Sequence, residues 1–189
     1  MSQVTAVLDA NVLHSHPLTS LLLELAEVRL FRPAWSADIH AEWMRSVQKA
    51  RPDIAPALLE RRRAAMDAAL PDACIGGYQR LIPALTLPDP DDRHVLAAAI
   101  RAKAQVIVTF NERDFPASEL DAYGIAVQHP DAFLCYLIDR NPTAVRARVQ
   151  AMLAGWKRPP NTAAHLIGFL ERCGLPETAA ALRGLFAID

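Results

Sequence analysis

Two short apolar runs constrain this chain more than any other feature. Residues 4–8 (VTAVL) stop at Asp9, and residues 105–110 (QVIVTF) run into Asn111. Both are too short for core helices, are rich in β-branched residues and end at polar ones, so the pattern predicts buried strands. Further strands are expected at 28–31, closed by Pro33, and at 125–128. Between them the spacing turns helical. Leu18, Leu21, Leu22 and Leu25 share one face, and Ser36 is the expected N-cap of a helix burying Ile39, Trp43, Met44 and Val47. Residues 54–70 and about 92–102 are also helical in pattern, and Pro130 and Asp131 open a helix through Ile138. Strands and helices alternating with short connections predict an α/β fold around a small parallel sheet.

From residue 141 the strand signal disappears. Residues 143–154, 162–172 and 177–187 are helical in pattern, punctuated by Pro159, Pro160, Gly174 and Pro176. Asn161 as N-cap, Gly174 just past a helix end and Pro176 at the next helix start predict an αα-hairpin. The expected organisation is an α/β domain over 1–140 and an all-helical extension over 141–189. At 52% hydrophobic and 22% charged residues the chain is not disordered. The uncharged stretch 132–138 falls far short of the roughly 20 residues of a membrane span. No signal-peptide pattern opens the chain, and Cys74, Cys135 and Cys173 lack both even count and C-x-x-C spacing. A cytoplasmic protein without a disulfide framework is expected.

The acids cluster where ligands bind in open α/β sheets, beyond the carboxyl ends of the strands. Asp9 ends the first strand. Thr109 and Asn111 end the strongest one, with Asp114 in the same loop. Asp92 opens the helix feeding that strand, after Asp89 and Asp91, and Glu42 borders an apolar helical stripe. Singly, each has an ordinary role as a helix cap, a turn residue or a solvated group. Jointly they would repel, since like charges about 4 Å apart cost roughly 4 kcal/mol at an effective dielectric of 20. A cation is expected among them, and an all-carboxylate set suits Mg²⁺ or Mn²⁺ better than zinc. No G-x-S-x-G, P-loop or H-E-x-x-H is present to supply a different chemistry.

The segments VLDANVL, SADIHAEWMRSV, LPDPDDRHVLAAAI and VIVTFNERDFP, in that order, together resemble a PIN domain, the ribonuclease fold of VapC-type toxins, over about residues 1–130. The resemblance implies a three-layer α/β/α fold and an endoribonuclease leaving a 5′-phosphate and a 3′-hydroxyl. It also implies a Mg²⁺ or Mn²⁺ centre at Asp9, Glu42, Asp92 and Asp114, with Thr109 and Asn111 orienting the acids. RNA would be the substrate, a cognate antitoxin a partner, and a homodimer a candidate assembly. The helical tail resembles the extension found on some PIN proteins. Two rivals are a haloacid-dehalogenase-like phosphatase, which would need a second aspartate where Asn11 stands, and a catalytically silent PIN-fold binding module.

Other polar residues carry weaker signals. Arg45 and Arg93 are candidate phosphate contacts or partners of the acids. Arg61, Arg62 and Arg63 read as a solvated face or a track for an RNA backbone. His14, His16, His40 and His94 lie near the motifs without a ligand pattern, and Trp43 reads as core. Twenty basic and 21 acidic residues leave a net charge of −1, and 17 of the basic residues are arginine. With four acids committed to metal, the remainder carries a surplus of three positive charges. Contact with bulk RNA should then be weak and salt-sensitive.

Overall fold

The structure is a computed structural model, and it describes residues 3–157 and 160–188. Four strands, β1 (Thr5–Leu8), β2 (Arg32–Ala34), β3 (Val106–Val108) and β4 (Ala126–Gln128), form one sheet in the order β2-β1-β3-β4, all parallel. Parallel strands need covered faces, and β1 and β3 are fully buried.

The first crossover, through α1 (Ala10–His14) and α2 (His16–Glu27), runs from β1 to one neighbour. The second, through α3 (Ala37–Ala50), α4 (Pro56–Ala69) and α5 (Arg93–Ala102), returns past β1 to β3. Right-handed crossovers in opposite directions place α2 and α5 on opposite faces, which gives the three layers. α6 (Ala117–Leu120) leads into β4, followed by α7 (Pro130–Arg140), α8 (Pro142–Gly155), α9 (Ala163–Arg172) and α10 (Pro176–Phe186). No helix among the described residues is long and apolar enough to cross a membrane.

The second strand lies at 32–34, later than the pattern at 28–31 suggests. α2 runs to Glu27 and closes through Arg29, whose φ is 60°, so residues 28–30 are used by the turn. Arg32 N–H then opens the ladder by donating to the Val4 carbonyl at 2.8 Å. Pro33 lies inside β2 instead of closing it, as an edge strand allows. The cap of α9 is Thr162, not Asn161, because its hydroxyl accepts from His165 N–H. Gly174 follows α9 with φ 82°, in the left-handed conformation that favours glycine after a helix end. Pro159, expected as a helix breaker, lies outside the described residues.

The C-terminal helices are joined to the sheet layers through α7 and α8. Phe133 of α7 meets Phe31 edge-on at 5.1 Å between ring centres, and Arg148 of α8 pairs with Glu24 and Glu27 of α2. Asp131, buried in the first turn of α7, accepts from the backbone N–H groups of Thr178 at 2.7 Å and Glu177 at 3.0 Å. A carboxylate of one helix thus caps the start of another, α10. Asp131→Ala leaves the buried Thr178 donor and the part-buried Glu177 donor without a partner and should cost about 2–3 kcal/mol. Thermal melts should fall by roughly 5–10 °C, with partial recovery in Asp131→Asn, which keeps one acceptor oxygen.

Candidate metal centre

The site lies at the carboxyl end of the sheet and begins with Asp9. β1 delivers this residue to the start of α1, where its Oδ1 accepts from Ala10 N–H at 2.6 Å. The other oxygen accepts from the Thr109 hydroxyl and the Asn11 amide, each at 2.7 Å. Asn11 also donates to Thr109 and accepts from Phe110 N–H, so one side chain fastens the ends of β1 and β3 together. Asp9 is 3% exposed. Burial raises its pKa against the pull of the Thr109 and Ala10 hydrogen bonds, and the charge of Glu42 adds to the rise.

Asp92 stands at the position that would cap α5, yet its side chain makes no capping hydrogen bond. The local turn is made by Asp89, whose Oδ1 accepts from Asp91 N–H at 2.8 Å. The Asp92 carboxylate therefore remains available to the cluster. One carboxylate oxygen from each of Asp89, Asp92 and Asp114 lies within 4.8 Å of the others. Burial, followed by the charges of Asp9, Asp114, Asp89 and Glu42, pushes the Asp92 carboxyl up to about 7. Burial is the larger cause, and the converging carboxylates add to it in the same direction.

Glu42 reaches the site from α3, whose N-cap is Ser36 and whose buried face carries Ile39, His40, Trp43 and Val47. Trp43 Nε1–H donates to His40 Nδ1 at 2.9 Å, and His40 Nε2 lies 3.1 Å from Asp67. An indole only donates, so His40 Nδ1 must accept and the imidazole is the neutral Nε2–H tautomer. The burial that lowers its pKa has the same consequence. Glu42 itself is held by His94, whose Nε2 lies 3.2 Å from its carboxylate. Burial alone would push the His94 imidazole down. The hydrogen bond and charge of Glu42, with Asp38 and Asp9 behind it, turn the net shift upward.

The structure thus places the expected Asp9, Glu42, Asp92 and Asp114 at one edge. Thr109 holds Asp9, and Asn111 donates to Asp114. Three residues enter that the sequence reading left out of the site: Asn11, Asp89 and His94. The NVL following Asp9 carried a signal for Asn11 only through its spacing of two from an acid. Arg45 is exposed and Arg93 donates to the Pro90 carbonyl at 2.9 Å. Among the described residues neither forms an ion pair with the acids. Arg61 and Arg63 are solvated or paired at the surface, but Arg62 turns inward. Its guanidinium lies 4.5 Å from the centre of the Trp43 ring and donates to the Leu13 carbonyl at 2.6 Å and the Thr19 hydroxyl at 2.8 Å.

A family model described as PIN domain matches residues 5–113, more than half of the chain, and one described as VapC50 C-terminal domain matches 130–184. A Mycobacterium tuberculosis protein named "Putative ribonuclease VapC50" is 41% identical over 110 residues. The match covers 58% of this chain and 64% of that protein, so the chain spans a little under two thirds of the relative's length. No solved structure matches.

Proposed function

This chain belongs to the PIN domain family, and on that premise we propose that it is a Mg²⁺- or Mn²⁺-dependent endoribonuclease, the toxin of a toxin–antitoxin pair. The observation that carries the reading is Asp92, which occupies a cap position without capping and shares its surroundings with Asp9, Glu42, Asp89 and Asp114. This donor set fits a hard divalent cation, because it is made of carboxylate oxygens with no thiolate, and among the described residues no lysine or arginine pairs with it. The name of the relative, a ribonuclease, supports the same chemistry.

Asp9, Glu42, Asp92 and Asp114 would hold the ion. A bound divalent cation supplies an activated water and neutralises charge on the phosphoryl oxygens. The protein's own part is to fix positions. Thr109 and Asn11 lock Asp9 at the end of β1, Asn111 steers Asp114, and His94 restrains Glu42. Arg45 and Arg93 flank the acids on α3 and α5 and would meet the phosphates of the bound strand. We divide the chain into a nuclease domain over 1–140 and a helical extension over 141–189, with α7 contacting both. A cognate antitoxin is the expected partner, and the three free cysteines suit a reducing cytoplasm.

The test is RNA cleavage with Mg²⁺ or Mn²⁺, with EDTA, and in Asp9→Asn. Cleavage should require the metal and fall at least about 100-fold in the variant, with its circular dichroism unchanged. Retained activity in a folded Asp9→Asn protein would overturn the assignment.

A further inference from the structure

The opposite edge of the sheet, where the strands begin, carries a different surface. Gln3, Glu27, Arg29, Arg32 and Asp72 border an open trough of about 440 Å³. Gln3 and Arg29 also border a second lobe of about 170 Å³, reached by Tyr136, Arg140 and Asn141. Arg29 therefore stands at the junction, with Arg32 in one lobe and Arg140 in the other.

Charge and shape here favour an anionic chain. Glu27 shares Arg148 with Glu24, and Asp72, without an ion pair among the described residues, borders the larger lobe beside Arg29 and Arg32, while the smaller lobe carries Arg29 and Arg140 with no lining acid. Arg140 lies over the Tyr136 ring at 5.5 Å and donates to its hydroxyl at 2.9 Å, and Tyr136 is 40% exposed. Arginines beside an accessible aromatic ring are the combination that binds a sugar–phosphate backbone and stacks a base. The backbone fixes where Arg29 stands. Arg29 closes α2 with φ 60°, while Arg29 N–H donates to Ala26 and Leu30 N–H to Leu25. Glycine is the unstrained choice at such a helix end, and Lys103 and Ala187 adopt the same left-handed geometry after α5 and α10. A cation near the last carbonyls of α2 also suits the helix dipole, and the test must separate that role from ligand binding.

We propose that this trough is a second RNA-binding site, in which Arg29, Arg32 and Arg140 hold the phosphodiester backbone and Tyr136 stacks a base of the strand being cleaved. The proposal rests on the ribonuclease reading for the identity of the strand. β1 has four residues, so the two edges of the sheet lie only on the order of 10–15 Å apart. A single strand of a few nucleotides spans that distance.

The experiment is fluorescence anisotropy of a labelled single-stranded oligouridine in EDTA, with the affinity measured against salt. Each lost phosphate contact should flatten the log–log salt dependence by about 0.7. The combined Arg29→Gly, Arg32→Gln and Arg140→Gln variant should therefore lose about 2 from the slope. Arg29→Gly alone should lose about 0.7 with a melting temperature equal to or above wild type. Tyr136→Leu should weaken binding without changing the slope. An unchanged slope in the combined variant overturns the trough, and so does undetectable wild-type binding at low salt. A lower melting temperature with unchanged binding in Arg29→Gly would assign that arginine to the helix end alone and overturn the proposal for it. Cleavage separates this result from the parent reading. Metal-dependent cleavage with an unaltered slope keeps the nuclease and removes the trough, whereas trough-dependent binding without cleavage does the reverse.

Discussion

Asp92→Asn is expected to make the metal-free protein more stable at pH 8 while abolishing metal-dependent RNA cleavage. The carboxyl has a folded pKa of about 7, against roughly 3.9 in an unfolded chain. A carboxylic acid raised in this way contributes its full stability below the unfolded value and loses it as pH rises through the folded one. The metal-free wild type should therefore melt higher at pH 5 than at pH 8. The shift would correspond to roughly 4 kcal/mol if none of it were screened, and partial exposure reduces this to about 1–2 kcal/mol. Differential scanning fluorimetry should show Asp92→Asn melting about 3–6 °C above wild type at pH 8. Much of that gap should close at pH 5. Mn²⁺ should raise the wild-type melting temperature strongly and that of the variant little, because an ion that binds only the native state stabilises it by mass action. A wild type indifferent to both pH and Mn²⁺ would remove the electrostatic argument for the centre.

The second large effect is expected at Arg62. Its guanidinium spans the last turn of α1 and the start of α2, and burial lowers its pKa to about 10. The carbonyls it serves belong to the corner after α1, while Asp9 caps the other end of that same five-residue helix. Arg62→Ala removes several hydrogen bonds and the contact with Trp43 together. A loss of about 3 kcal/mol is expected, or roughly 6–12 °C in melting temperature. Arg62→Lys should recover little, because a compact ammonium cannot reproduce the planar fork. Because α1 joins the two sites rigidly, Mn²⁺ affinity measured by calorimetry should weaken as well.

The contrast between Arg62 and its neighbours shows what the sequence did and did not reveal. Periodicity located the helix from 56 to 69 but not which arginine faces inward, since that depends on where Leu13 and Trp43 meet it. Strand ends and acids were legible because burial and repulsion act on local pattern: Asp9, Thr109 and Asp92 needed only their place beside apolar runs. His94 and Asn11 were not, because their roles exist only after α3, α5 and the two central strands come together. The shift of the second strand to 32–34 had a similar cause. An arginine in left-handed backbone geometry leaves no compositional trace, so the turn it makes was read as strand. The αα-hairpin of the tail was visible through Pro176 and Gly174, whereas the carboxylate of Asp131 that caps it comes from a helix more than forty residues earlier.

The order of strands carries a consequence for how the protein is made. β1 pairs with β3, whose residues follow about a hundred positions later, and the Thr109 hydroxyl that locks Asp9 comes from the same late segment. Contacts of such separation form slowly, after the local ones. During synthesis the strand that completes the pocket of Asp9 emerges about a hundred residues after it. A nascent chain stopped before Val106 has Asp9, Glu42 and Asp92 without the β3 partner that fixes their common edge. Synthesis of a nearly complete PIN domain thus precedes the first moment at which its acids can come together.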